Sequence, residues 1–179
     1  MIVRPFEKKD IEPCAILHKA SRRESEKGVI YDSDLDRYDL DHFQSNWQEW
    51  STYQTSQILV AEDNGKIIGF IICGPVRTRP SFDKGVVPRY GGEIYALYVS
   101  PDQFRHGVGR QLFLNAIRVL SDKNLTSVLL WAFKKNKRAC AFYESMGGEK
   151  IGKQRVELGE KSWAEESCFA WRDVRSLLK

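Results

Sequence analysis

The stretch GEIYALYVSPDQFRHGVGRQLF constrains the fold more than any other part of the chain. It is apolar at nearly every position from Ile94 to Val99, which predicts a strand covered on both faces. Gly107 and Gly109 follow, and the pattern then changes to Val108, Leu112, Phe113, Ala116, Ile117 and Leu120, the single apolar face of a helix. A strand that turns through glycines into a helix exposes the first-turn N–H groups and the positive end of the helix dipole, a place that favours an anion. Arg105, His106 and Arg110 add cationic side chains around it. A pyrophosphate is the natural guest. The other reading is a tight turn that holds nothing, since two glycines alone are a weak signal.

Two common phosphate loops are excluded. The residues after Gly107 do not supply the Gly-Lys-Ser/Thr ending of a P-loop. The dinucleotide fingerprint needs a third glycine where Leu112 stands, and an acidic residue where the next strand has Val128 to Trp131. A chain of 179 residues fits one domain, read here over 1–179. The net charge of +4 tolerates an anionic ligand without calling for nucleic acid. Cys14, Cys73, Cys140 and Cys168 are far apart, which predicts reduced thiols and no metal site. The N-terminus lacks a long apolar segment and no run of apolar residues is long enough to span a bilayer, so the expectation is a cytoplasmic chain with no membrane partner.

The remaining elements alternate. IVRPF reads as a first strand, and Asp10 as the cap of a helix through IEPCAILHKASRR. Leu40, Phe43, Trp47 and Trp50 have helical spacing. QILVAED and KIIGFIICG form a hairpin on Asn64-Gly65. PVRTRPSFDKGVVPRYGG is a loop, because its prolines and glycines forbid a regular element. SVLLWAF is a strand, NKRACAFYESMGG a short helix stopped by Gly147 and Gly148, and EKIGKQRVEL and WAEESCFAW are two closing strands. The order is that of a mixed α/β domain.

Val99, Pro101, Gly107 and Gly109, followed by Asn136, Ala139, Tyr143 and Gly147, resemble the signature of the GCN5-related N-acetyltransferase (GNAT) superfamily. The resemblance covers nearly the whole chain. It implies an α/β (α+β) fold with a mostly antiparallel, mixed sheet of six to seven strands, splayed at its centre, with helices on both faces. It implies acetyl-CoA as co-substrate, its pyrophosphate on the amides of Phe104, Arg105, His106, Gly107, Val108, Gly109 and Arg110. The pantetheine arm would pair with the backbone of Leu97, Tyr98 and Val99, and Asn136 would hydrogen-bond the same arm. Tyr143 would protonate the leaving thiolate. Glu93, placed fourteen residues before Gly107 as in histone-type members, is the candidate general base. Phe104 departs from the pattern, which has Gln or Arg there.

The activity this implies is acetyl transfer to a primary amine of a small molecule by direct attack in a ternary complex. The alternatives are a protein or peptide amine as acceptor, or a non-catalytic acyl-CoA-binding module. A homodimer through the C-terminal strands is compatible with the resemblance. Acceptor choice falls to 22–53 and 75–90. Asp32, Asp34, Asp36, Asp39 and Asp41, set among Tyr31, Tyr38, Phe43 and Trp47, suit a cationic amine such as a polyamine, aminoglycoside or peptide amine. For any one of these aspartates, capping or solvation is the competing role.

Overall fold

The computed structural model describes residues 1–77, 90–158 and 163–179. Most of the proline-rich loop, 78–89, lies outside the described residues, and so do 159–162. The elements run β1 (Ile2–Pro5), α1 (Ile11–Glu26), α2 (Asp32–Leu35), α3 (Leu40–Trp50), β2 (Gln57–Asp63), β3 (Lys66–Pro75), β4 (Gly92–Val99), α4 (Val108–Asp122), β5 (Val128–Phe133), α5 (Lys137–Ser145), β6 (Glu149–Glu157) and β7 (Trp163–Trp171).

One seven-stranded sheet has the order β1-β2-β3-β4-β5-β7-β6. Every neighbouring pair is antiparallel except β4 and β5, which α4 joins as a crossover. The β2–β3 hairpin turns on Asn64 and Gly65, whose φ of 49° and 76° are the left-handed pair such a turn requires. Helices cover both faces. On one, Cys14, Ala15 and Leu17 of α1 and Phe43 and Trp47 of α3 pack on Val60, Phe70 and Ile72. On the other, Leu112, Phe113, Ala116 and Ile117 of α4 bury against Ile71, Ile94 and Leu130, joined by Tyr143 of α5.

The centre of the sheet opens. β4 and β5 pair only over Gly92↔Val128, Glu93↔Leu129 and Ile94↔Leu130. Tyr95 is the next residue, and the β3–β4 register slips around it, from Cys73↔Ile94 to Ile72↔Ala96. An extra residue in one strand bends that strand and raises its local twist. The bulge thus turns β4 away just where its pairing with β5 ends. β5 continues instead with β7 through Phe133↔Glu166, and a gap is left between the two central strands.

Two local expectations are corrected. α1 does not stop at Arg23 but runs on to Glu26, whose backbone carbonyl accepts the N–H groups of Val29 and Ile30. Asp10 makes no side-chain cap to α1. Its buried carboxylate accepts the Glu7 N–H at 2.8 Å and the Arg4 guanidinium at 2.7 and 2.9 Å, tying the residues before the helix to β1.

Candidate active site

The gap begins as an unpaired strand edge. The N–H of Ser100 donates to Ile68 of β3, and antiparallel ladders alternate which residues face the partner. Tyr98 and Ala96 therefore turn their backbone groups to β3, whereas Leu97 and Val99 turn theirs to the gap. Ser21 of α1 confirms the direction, because its hydroxyl reaches the Val99 carbonyl at 3.1 Å. Of the three residues expected to pair with a pantetheine arm, Leu97 and Val99 offer backbone and Tyr98 offers its ring. That ring packs on His18 and Phe70, on the face of α1 and α3.

At the end of β4 the chain winds into α4 through a loop with two left-handed residues, Arg105 at φ 66° and Gly107 at φ 83°. The first helical bond is Gln111 N–H to Gly107 C=O, so the amides of Val108, Gly109 and Arg110 have no partner inside the helix. A Cβ placed on Gly109 would meet only ordinary contacts, Phe142 at 3.7 Å and Val99 at 3.8 Å. Packing therefore does not demand glycine there, and a bare backbone at this position leaves room for a close approach. Arg105, His106 and Arg110 are exposed around this helix end, as the sequence predicts.

Across the gap stands α5. Asn136 caps it: its side-chain oxygen accepts the Ala139 N–H at 3.1 Å, leaving the amide nitrogen as the group that can donate to a ligand. Tyr143 is buried against Phe142 and Phe169, and burial pushes its phenol above the usual range. Phe104, the departure from the expected pattern, lies under the Arg138 guanidinium at 3.7 Å. Where a polar side chain would brace the loop, a cation–π contact ties it to α5 instead. Lys134, just before α5, is engaged by Glu165 at 2.8 Å.

The pattern of the Acetyltransferase (GNAT) family matches residues 24–148, which takes in the gap, the glycine loop and α5. This chain belongs to the GNAT family. It is 26% identical over 176 residues, 98% of this chain and 95% of its relative, to the uncharacterized N-acetyltransferase YuaI of Bacillus subtilis. It is 32% identical over 142 residues to the probable N-acetyltransferase Rv2775 of Mycobacterium tuberculosis, covering 75% of this chain and 72% of that one. In three dimensions it resembles the paia N-acetyltransferase of Thermoplasma acidophilum in complex with coenzyme A. There the TM-score is 0.69 at 16% identity, over 93% of this chain and 96% of that one.

In this GNAT acetyltransferase Glu93 sits on the last paired stretch of β4 and is 1% exposed. Its Oε2 accepts the Arg77 N–H at 2.8 Å and its Oε1 the Arg77 guanidinium at 2.9 Å. Arg77 also stacks over Tyr95, the bulge residue, at 3.9 Å. Base candidate and bulge are thus locked into one unit. The acidic segment divides its roles: Asp39 caps α3 by accepting the His42 N–H, and Asp36 pairs with Arg23. Arg79, Lys84 and Arg89 of the second loop lie outside the described residues. The four cysteines are buried free thiols, and burial pushes Cys73 and Cys168 up to about 12, unfavourable for a nucleophile. Among the described residues no helix is long and apolar enough to cross a membrane.

One contact has no signal in the sequence: Arg138, one of several cations at the start of α5, meets Phe104, a relation between two elements that neither element's own pattern announces.

Proposed function

We propose that the protein moves the acetyl group of acetyl-CoA to a primary amine of a small molecule, by direct attack within a ternary complex. The observation that carries this reading is the convergence on one gap of an unpaired strand edge, a bare helix N-terminus and a buried tyrosine. The pyrophosphate lies on the helix N-terminus at the amides of Val108, Gly109 and Arg110, since those of Phe104 and His106 donate to Pro101 and Gln103 within the loop. The pantetheine arm runs along Leu97 and Val99 as a pseudo-strand, with the Asn136 amide nitrogen donating to it. The Leu97 N–H is the donor for the oxyanion that forms on the thioester carbonyl. Coenzyme A in the Thermoplasma neighbour supports the choice of donor.

The acceptor's ammonium first gives a proton to Glu93, which releases it to solvent before the next turnover. The freed nitrogen lone pair bonds to the thioester carbonyl carbon. The tetrahedral intermediate collapses, the C–S bond breaks, and its electron pair leaves on sulfur. Tyr143 protonates the thiolate and recovers its proton from solvent, while the second amine proton departs to solvent. A small acceptor fits because Val29, Ile30 and Leu35 meet Ala164, Phe133 and Val156 in an apolar cluster that joins the α1–α2 segment to β5, β6 and β7.

Free-thiol release over a panel tests this: a monoamine, a diamine, an aminoglycoside, an α-amino acid and a peptide with a free N-terminus. The expected result is release with a small amine, the acidic limb of whose pH dependence changes in Glu93→Gln; an unchanged limb takes Glu93 out of the base role. Release with the peptide alone moves the reading to a protein amine. Acetyl-CoA binding without release from any amine makes the chain an acyl-CoA-binding module.

A further inference from the structure

The turn that carries β4 into α4 has few bonds of its own. Before the helix begins, the Phe104 N–H reaches the Pro101 carbonyl and the His106 N–H the Gln103 carbonyl, both at a long 3.4 Å. Among the described residues the Arg105 and His106 side chains make no hydrogen bond or ion pair. Arg105 is nevertheless left-handed, at φ 66°. That conformation costs a residue other than glycine free energy, and it persists only where the surroundings hold it.

α5 holds the turn at both ends. At one end the Arg138 guanidinium lies 3.7 Å from the centre of the Phe104 ring. At the other, the Phe142 ring lies 3.7 Å from where a Gly109 Cβ would stand, and it packs edge-on against Phe113 of α4 at 6.2 Å. Arg138 and Phe142 are four residues apart, so they project from one side of α5, a turn from each other. Residues 105–108, which include both left-handed positions, thus span two contacts made by a single helix. The Phe142 contact is apolar packing. The Arg138 contact is an exposed guanidinium on a half-buried ring, and it can be removed without opening the core. The same helix starts at the Asn136 cap and carries Tyr143 beside Phe142.

We propose that Phe104 and Arg138 are a positioning pair that holds this turn in the form that receives acetyl-CoA. The proposal rests on the choice of acetyl-CoA as donor made above. Neither side chain meets the reacting atoms. The stack keeps Arg105 left-handed and so aims the N–H groups of Val108, Gly109 and Arg110 before the ligand arrives; a turn already ordered loses less freedom on binding. The tie ends on α5, so it also fixes the spacing between the phosphate end of the slot and Tyr143. Stacking does here what a Gln or Arg at position 104 would do by hydrogen bonding.

The test is a double-mutant cycle read by calorimetry with acetyl-CoA, on Phe104→Leu, Arg138→Gln and the two combined, with Phe104→Tyr as the conservative variant. Each single change raises the acetyl-CoA Kd about fivefold while the amine KM stays within about twofold. The combined variant binds no more weakly than either single one, because both changes remove the same contact. Phe104→Tyr keeps a ring beneath the guanidinium and binds like the parent, and all melting temperatures stay within about 3 °C. An Arg138→Gln loss that is equally large in the Phe104→Leu background makes Arg138 a direct ligand contact and overturns the proposal. Unchanged Kd in both single variants overturns it as well. So does a lowered melting temperature in Phe104→Leu beside an Arg138→Gln that behaves as the parent, which makes the ring a packing residue. The cycle reads binding alone: a parent that binds acetyl-CoA but turns over no amine loses the transfer reading, while the positioning pair stands or falls on the cycle. A parent that binds no acetyl-CoA loses both.

Discussion

A phenol buried beside Phe142 and Phe169 holds its proton tightly at neutral pH, which suits a donor to a departing thiolate and not a base. Tyr143→Phe removes one hydroxyl from a ring that packing already holds. It should lower kcat by about a hundredfold while leaving the acetyl-CoA Kd within twofold; equal losses in kcat and affinity would assign the hydroxyl to binding. His18 gives a second prediction. Phe43, Trp50, Phe70 and Tyr98 enclose it and its Nδ1 is buried without a hydrogen bond. Burial, with Arg22 and His42 adding to it, pushes the imidazole down from 6.5 to about 3. The unfolded chain takes up a proton below pH ~6.5 that the folded chain refuses. Stability from the neutral ring is thus complete above that pH and falls towards pH 3, by about 1.4 kcal/mol per unit. Urea unfolding of His18→Leu between pH 6 and 4 should show a shallower loss, by about one proton's worth of slope; an identical slope would mean that His18 is protonated in the folded state.

At the scale of elements, the turn from β4 into α4 joins fold and chemistry. Gly109→Ala adds a methyl group that protein packing accepts, since its nearest neighbours are 3.7 Å away. On the proposed reading it also puts that methyl where the phosphate oxygens approach. The acetyl-CoA KM should rise about tenfold, roughly 1.4 kcal/mol, with the melting temperature within about 2 °C. A lowered melting temperature with unchanged KM would make the glycine a packing residue. This element was legible in the sequence because strand, glycines and amphipathic helix are all local patterns. The bulge at Tyr95 was not, because a slip of register is a relation between two strands. The last turn of α1 was hidden because Glu24 to Glu26 carry no apolar period; within the helix, Arg22 pairs with Glu26 and the Ser25 hydroxyl donates to the Arg22 carbonyl.

Across the whole molecule, one bulge and one change of partner strand divide a continuous sheet into two halves with a slot between them. The run of apolar residues in β4 announced a central strand but not that half of it lacks a neighbour on one side. Motif spacing placed Gly107, Gly109, Asn136 and Tyr143 on the elements that border the slot. Backbone alternation then sorted Leu97 and Val99 from Tyr98, a distinction that depends on pairing with β3. The acidic segment 32–41 was least legible: Asp39 serves as a cap and Asp36 in an ion pair, roles that composition alone does not separate from ligand binding. The central claim is transfer of acetyl from sulfur to nitrogen in one step. Mass spectrometry of a single reaction, quantifying N-acetylated amine, free coenzyme A thiol and the intact protein together, tests it most directly. The account predicts amine product and thiol in equal amounts with the protein mass unchanged. Thiol released without acetylated amine, or an acetyl adduct on the protein that chases into product, would contradict it.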